Sequence, residues 1–94
     1  MSDDADLVQE LYGDLFTTPG ALEAFSREQM IECLRRHVAG DWGTVCAESA
    51  AANDVARLEG GDVMLSQYPL GDKILWILTT ADRSTTTLLL PEEY

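Results

Sequence analysis

Residues 63–90 read VMLSQYPLGDKILWILTTADRSTTTLLL, and the fold turns on this stretch. Three runs inside it, Val63 to Tyr68, Lys73 to Thr80 and Thr85 to Leu90, are rich in apolar and β-favouring residues. Leu70-Gly71-Asp72 and Ala81-Asp82-Arg83-Ser84 separate them with turn-forming residues. The reading is a three-stranded antiparallel meander. Ile74-Leu75-Trp76-Ile77-Leu78 is a continuous apolar run, the pattern of a central strand covered on both faces. Trp76 is therefore assigned to the core, where truncation to Ala costs about 3–5 kcal/mol. Pro91 stops the last strand.

Upstream of residue 61 the period is helical. Leu7, Val8, Leu11, Tyr12, Leu15 and Phe16 recur at helix spacing, with Asp3, Asp4 and Asp6 suited to the positive N-terminal end. The other face of that helix carries Gln9, Glu10 and Asp14. Thr18-Pro19-Gly20 interrupts, Thr18 as a cap and Pro19 as a first helical residue, and a short turn from Ala21 to Phe25 follows. Ser26 with Gln29 fits a capping box for a helix from Arg27 to Val38, whose apolar stripe is Met30, Ile31, Leu34 and Val38. Gly40 ends that helix, and Asp41-Trp42-Gly43 turns the chain. Ala47 to Leu58 reads as an alanine-rich helix stopped by Gly60-Gly61. The expected fold class is α+β: three to four helices, then a three-stranded antiparallel β-meander, in one domain over residues 1–94.

Ninety-four residues, 46% of them hydrophobic, suffice for one modest core and argue against wholesale disorder. No apolar run approaches the roughly 20 residues that would span a bilayer. Met1-Ser2-Asp3-Asp4 is the reverse of a basic signal-peptide start, so the expected location is cytoplasmic. Cys33 and Cys46 lack the number and spacing of a disulfide framework or a zinc site and read as free thiols.

Candidates for chemistry are few. Cys33, His37 and Asp41 recur at intervals of four, so the first two share a helix face. A Cys–His–Asp nucleophile is the sharp reading. Nothing Gly-rich nearby offers an oxyanion hole, and Cys33 adjoins the apolar stripe, where a thiol is ordinary packing. Gly60-Gly61 is no phosphate loop, because no Lys or Ser/Thr follows at the required place. No EF-hand loop is present. No cofactor and no metal are expected, and the chain reads as non-enzymatic. Trp42 and Trp76 read as core or half-buried. Asp41, before Trp42, and Asp82-Arg83 read as polar anchors that tie turns to the body.

The unusual quantity is charge. Seventeen acids against six bases give −11. That disfavours direct contact with nucleic acid or an anionic membrane and favours a basic partner. Residues 1–32 hold eight of the acids (Asp3, Asp4, Asp6, Glu10, Asp14, Glu23, Glu28 and Glu32) and one base, net −7. Residues 33–94 hold nine acids and five bases, net −4. The eight acids of the first third are the candidate binding residues. The plainer alternative is that the charge serves only solubility.

Two further stretches carry a resemblance. Residues 36–43, RHVAGDWG, and residues 81–94, ADRSTTTLLLPEEY, resemble "RHVxGDWG" and "ADRSxTTxLLPxEY" segments of small proteins carried on bacterial plasmids, phages and other mobile elements. Thr18 to Leu22, Asn53-Asp54 and Ser66 to Tyr68 fit the same pattern, which covers residues 13–94. The chain departs from it at Val63, where the pattern has Arg, and at Thr80, where it has an acid. The resemblance implies a mobile-element context, in which small acidic proteins often inhibit host defence as anti-CRISPR or anti-restriction proteins, some by imitating the charge of DNA. The partner it implies is a protein with a basic nucleic-acid-binding channel. The alternative in the same context is a soluble regulatory or housekeeping protein of the mobile element.

Overall fold

The meander forms in the computed structural model of the chain, which describes residues 12–94. β2 (Met64–Leu70), β3 (Lys73–Thr79) and β4 (Thr85–Leu89) are antiparallel in sequence order. Their register aligns Ser66 with Ile77 and Ile77 with Leu88. A fourth strand, β1 (Asp14–Thr17), adds to the free edge of β4 in parallel, giving the order β1-β4-β3-β2. The sheet is therefore four-stranded and mixed, which corrects the three-stranded antiparallel meander.

β1 also corrects the helix expected to run through Leu15 and Phe16. Four residues are too few for periodicity to separate strand from helix. The backbone decides instead. Gly13 turns the chain at φ 77, and a Cβ there would lie 2.1 Å from the Ser84 carbonyl oxygen. The Asp14 N–H then donates to Ser84 O at 2.9 Å, and the Thr18 N–H to Leu88 O at 3.0 Å. Alternation replaces helical spacing: Leu15 and Thr17 face the covered side of the sheet, Asp14 and Phe16 the other. Leu7, Val8 and Leu11 lie outside the described residues.

Three helices are described. α1 (Pro19–Ala24) stands where a short turn was expected; the Thr18 hydroxyl accepts from the Ala21 N–H at 3.3 Å, and Pro19 opens the helix. α2 (Arg27–Val38) begins with the anticipated capping box, the Gln29 N–H on Ser26 Oγ at 3.1 Å and the Ser26 N–H on Gln29 Oε1 at 2.8 Å. α3 is Ala47–Glu59. Their buried side chains, among them Ala21, Phe25, Leu34 and Ala56, join one cluster with Met64, Tyr68, Leu75, Ile77 and Leu88.

All of that packing is on one side. Ser66, Tyr68, Leu75, Ile77, Thr79 and Leu88 face the helices and are buried. Leu65, Trp76, Leu78 and Thr87 face away and are only partly covered, while Leu89, opposite Trp76 on that face, is buried. The run Ile74–Leu78 is thus covered on one face, not two, and Trp76 is half-buried rather than core. The loss expected of a core tryptophan passes to Trp42, which is buried among α2 and β2.

The outer edge of β2 is closed by other means. The Asn53 side chain on α3 donates to Leu65 O at 2.8 Å and accepts from the Leu65 N–H at 3.2 Å, as a neighbouring strand would. The loop after α2 continues the closure: the Gln67 N–H donates to Trp42 O at 3.0 Å and the Thr44 N–H to Gln67 O at 2.8 Å. An edge so occupied cannot pair with another chain.

Candidate functional site

The polar residues of the two signature segments are committed to holding turns. Arg36, near the end of α2, grips Asp41 with Nε at 2.7 Å and Nη2 at 3.4 Å, and its guanidinium lies 4.6 Å over the Tyr68 ring. That hydrogen bond, and a second from the Gly43 N–H at 3.2 Å, hold the Asp41 carboxyl below the usual carboxylate range. The Tyr68 hydroxyl donates to the Asp41 carbonyl at 2.7 Å, and the Trp42 indole N–H to Asp54 at 2.8 Å.

His37 has no exposed surface. Its Nδ1 lies 2.5 Å from Ser66 Oγ and its Nε2 2.9 Å from Thr79 Oγ1. Thr79 Oγ1 is 2.8 Å from Thr86 Oγ1, and the Thr86 hydroxyl donates to the Tyr12 carbonyl at 2.9 Å. A carbonyl can only accept, so the direction of the whole chain follows. Thr86 donates to Tyr12, Thr79 to Thr86, His37 Nε2–H to Thr79, and Ser66 to Nδ1. The ring is the neutral Nε2–H tautomer. Burial, with a smaller repulsion from Arg83, lowers its pKa to about 3. Neither ring nitrogen serves Cys33 or Asp41, so the Cys33–His37–Asp41 spacing does not assemble a nucleophile–base pair. Cys33 is itself buried, and burial pushes its thiol pKa up.

The second segment works in the same way. The Asp82 carboxylate accepts from the Ser84 hydroxyl at 2.7 Å, the Ser84 N–H at 3.0 Å and the Thr80 hydroxyl at 2.9 Å, which lowers its pKa. Arg83, at φ 62, sends Nη1 to Asp62 O at 2.9 Å and Thr80 O at 3.0 Å, and Nη2 to Ala56 O near the end of α3. It thus ties the β3–β4 turn to α3. Glu93 accepts from the Thr18 hydroxyl at 2.5 Å, the Gly20 N–H at 3.0 Å and the Leu90 N–H at 2.8 Å, tying the last turn to the start of α1. Val63 and Thr80, the two departures from the resemblance, each lie one residue beyond the paired strand ends Met64 and Thr79.

Of the eight candidate binding acids, Asp3, Asp4, Asp6 and Glu10 lie outside the described residues. Asp14, Glu23, Glu28 and Glu32 are all exposed. Glu28 and Glu32 share one face of α2, where Glu32 meets Arg35 at 3.3 Å. Asp14 is on the strand face turned away from α2, so the structure does not join it to them. Among the described residues no group of three or more His, Cys, Asp or Glu is arranged to hold a metal ion, and no helix is long and apolar enough to cross a membrane.

Charge counting overlooks the open face of the sheet. Phe16 is 53% exposed and Ile74 37%, with Leu65, Trp76 and Leu78 between them. The Trp76 indole N–H donates to Gln67 Oε1 at 3.0 Å, and the Tyr94 ring stands edge-on to it at 5.8 Å. The apolar run Ile74–Leu78 supplies the middle of this face, but by itself it reads the same whether one face of the sheet is covered or both. Among known proteins, the chain matches no family model, no curated protein and no solved structure.

Proposed function

We propose that this chain is a non-enzymatic acidic inhibitor of mobile-element origin, acting in the bacterial cytoplasm. Its target is a basic nucleic-acid-binding surface of a host defence complex, in the manner of anti-CRISPR or anti-restriction proteins. The observation that carries the reading is a contrast. The residues with chemical potential, His37, Asp41, Asp82 and Arg83, are committed to the fold, whereas Asp14, Glu23, Glu28 and Glu32 are exposed on a body of net charge −11. A surface of that sign meets lysines and arginines placed for a DNA backbone, and it is steered to them over a distance. Asp14 faces away from α2, which favours the rival reading of charge as a solubility device.

One assay separates them. Expression of the chain in cells with an active CRISPR or restriction system is expected to raise phage plating at least about tenfold, with excess DNA competing for the isolated target. Reversing Glu23, Glu28 and Glu32 together to Lys is expected to remove that protection, because a repelled surface costs more than a neutral one. Full protection by the folded triple variant would leave the charge as a solubility device.

A further inference from the structure

We infer that the open face of the sheet is a docking surface for a single amphipathic helix, apolar on one side and flanked by basic residues. The inference goes beyond the inhibitor reading: this surface lies on the side of the sheet away from α2, the helix that carries Glu28 and Glu32. The apolar residues of the face are Phe16 of β1, Leu65 of β2 and Ile74, Trp76 and Leu78 of β3, while β4 contributes Thr87 between Phe16 and Leu78 and the buried Leu89 beside Trp76. The core of the described helices packs on the other side; on this side Tyr94 stands against Trp76, and α3 borders Leu65 at the β2 edge.

Its rim is acidic. Asp14 stands at the β1 corner and Asp62 beside Val63 and Leu65. Asp72 and Glu92 flank Ile74 in a cavity of about 230 Å³, where Lys73 is the one base. Four carboxylates against the Lys73 ammonium and the Arg83 guanidinium, which bonds the Asp62 carbonyl, leave the rim net negative and call for a cationic occupant.

Size selects the kind of occupant. Four strands about 4.8 Å apart and about five residues long present roughly 320 Å². A stable interface between whole domains takes about 800 Å² from each partner. One helix, about 10–12 Å across, fits within the face. A second copy of this chain fits poorly, because it would set two acidic rims against each other.

The test uses the full chain, labelled with ¹⁵N, and a synthetic amphipathic Leu–Lys peptide of about four helical turns. Two indole N–H signals report opposite sides: Trp76 on the open face and Trp42 buried against Asp54. The expected result is a saturable shift of the Trp76 indole and of the Leu65 and Leu78 amides, with the Trp42 indole unmoved. Leu78→Lys is expected to weaken binding at least about tenfold. Should that variant lose the folded Trp42 signal, Phe16→Lys, at a more exposed position, is expected to do the same. A Leu–Glu peptide is expected not to bind. The inference is overturned if the shifts centre on Glu28 and Glu32 of α2, if nothing shifts, if the Leu–Glu peptide binds equally, or if the face signals move with the concentration of the chain alone. None of these outcomes touches the phage-plating result, so the docking surface and the inhibitor reading fail separately.

Discussion

His37 cannot take up a proton without turning Ser66 from donor to acceptor inside a chain of hydrogen bonds that has no exposed member. Its pKa is about 3 in the folded protein against 6.5 for the free side chain. Below pH 6.5 the unfolded chain binds a proton that the folded chain refuses, so stability falls as pH falls through this window and levels off near pH 3. At pH 5 the expected loss from this site is on the order of 2 kcal/mol, at 1.36 kcal/mol per pH unit. Urea unfolding at pH 7.5 and at pH 5 measures it. His37→Gln, which keeps an amide between Ser66 and Thr79, is expected to show a shallower pH dependence than the wild type. Equal slopes in the two proteins would mean that His37 is not the group responsible. Asp41, Asp82 and Glu93, whose pKa values are lowered, contribute in the same direction but at lower pH, as each carboxylate is protonated. The chemical roles of these residues were not legible as such. The spacing of Cys33, His37 and Asp41 fits a nucleophile as well as a scaffold, and only the distances to Ser66, Thr79 and Arg36 separate the two.

At the scale of elements, local rules sufficed wherever the signal lay within one segment. The Ser26–Gln29 capping box and the turns around Gly71 and Asp82 each depend on residues a few positions apart, and each formed where expected. β1 is the counterexample. Its partner is some seventy residues away on β4, and the pairing depends on Gly13, whose missing Cβ lets the Ser84 carbonyl approach. Gly13→Ala is therefore expected to cost about 2–4 kcal/mol, from left-handed backbone strain plus the contact. Gly71→Ala is the control: φ is 68, but nothing stands near its Cβ position, so strain alone applies and about 1–2 kcal/mol is expected. Chemical denaturation of both variants decides the point. Equal losses would show that β1 does not depend on the close approach.

The whole molecule carries −11 on 94 residues, which is enough for self-repulsion to oppose the compact state. Salt screens such repulsion over a length of about 10 Å at 0.1 M. The melting temperature is expected to rise by several degrees between about 0.02 and 0.5 M NaCl, while binding to a basic target weakens over the same range. A melting temperature that stays level or falls would mean that the acids are already spaced widely enough not to interact. The two responses have opposite signs and one origin, so measuring both tests whether charge acts on fold and partner alike.

Read alone, the sequence establishes the α+β class, the helix caps, the three consecutive antiparallel strands and the acidic balance, because each follows from composition or from neighbours along the chain. Tertiary structure decides the fourth strand, the one-sided cover of the sheet and the Asn53 clamp on the edge of β2. It also decides the protonation of His37 and the separation of Asp14 from Glu28 and Glu32. These are relations between residues far apart in sequence, and no local pattern encodes the far partner. The run Ile74–Leu78 shows the limit most directly. Its five apolar residues read the same whether helices cover both faces of the sheet or only one, and the position of the helices, not the strand, leaves Trp76 and Leu78 facing outward.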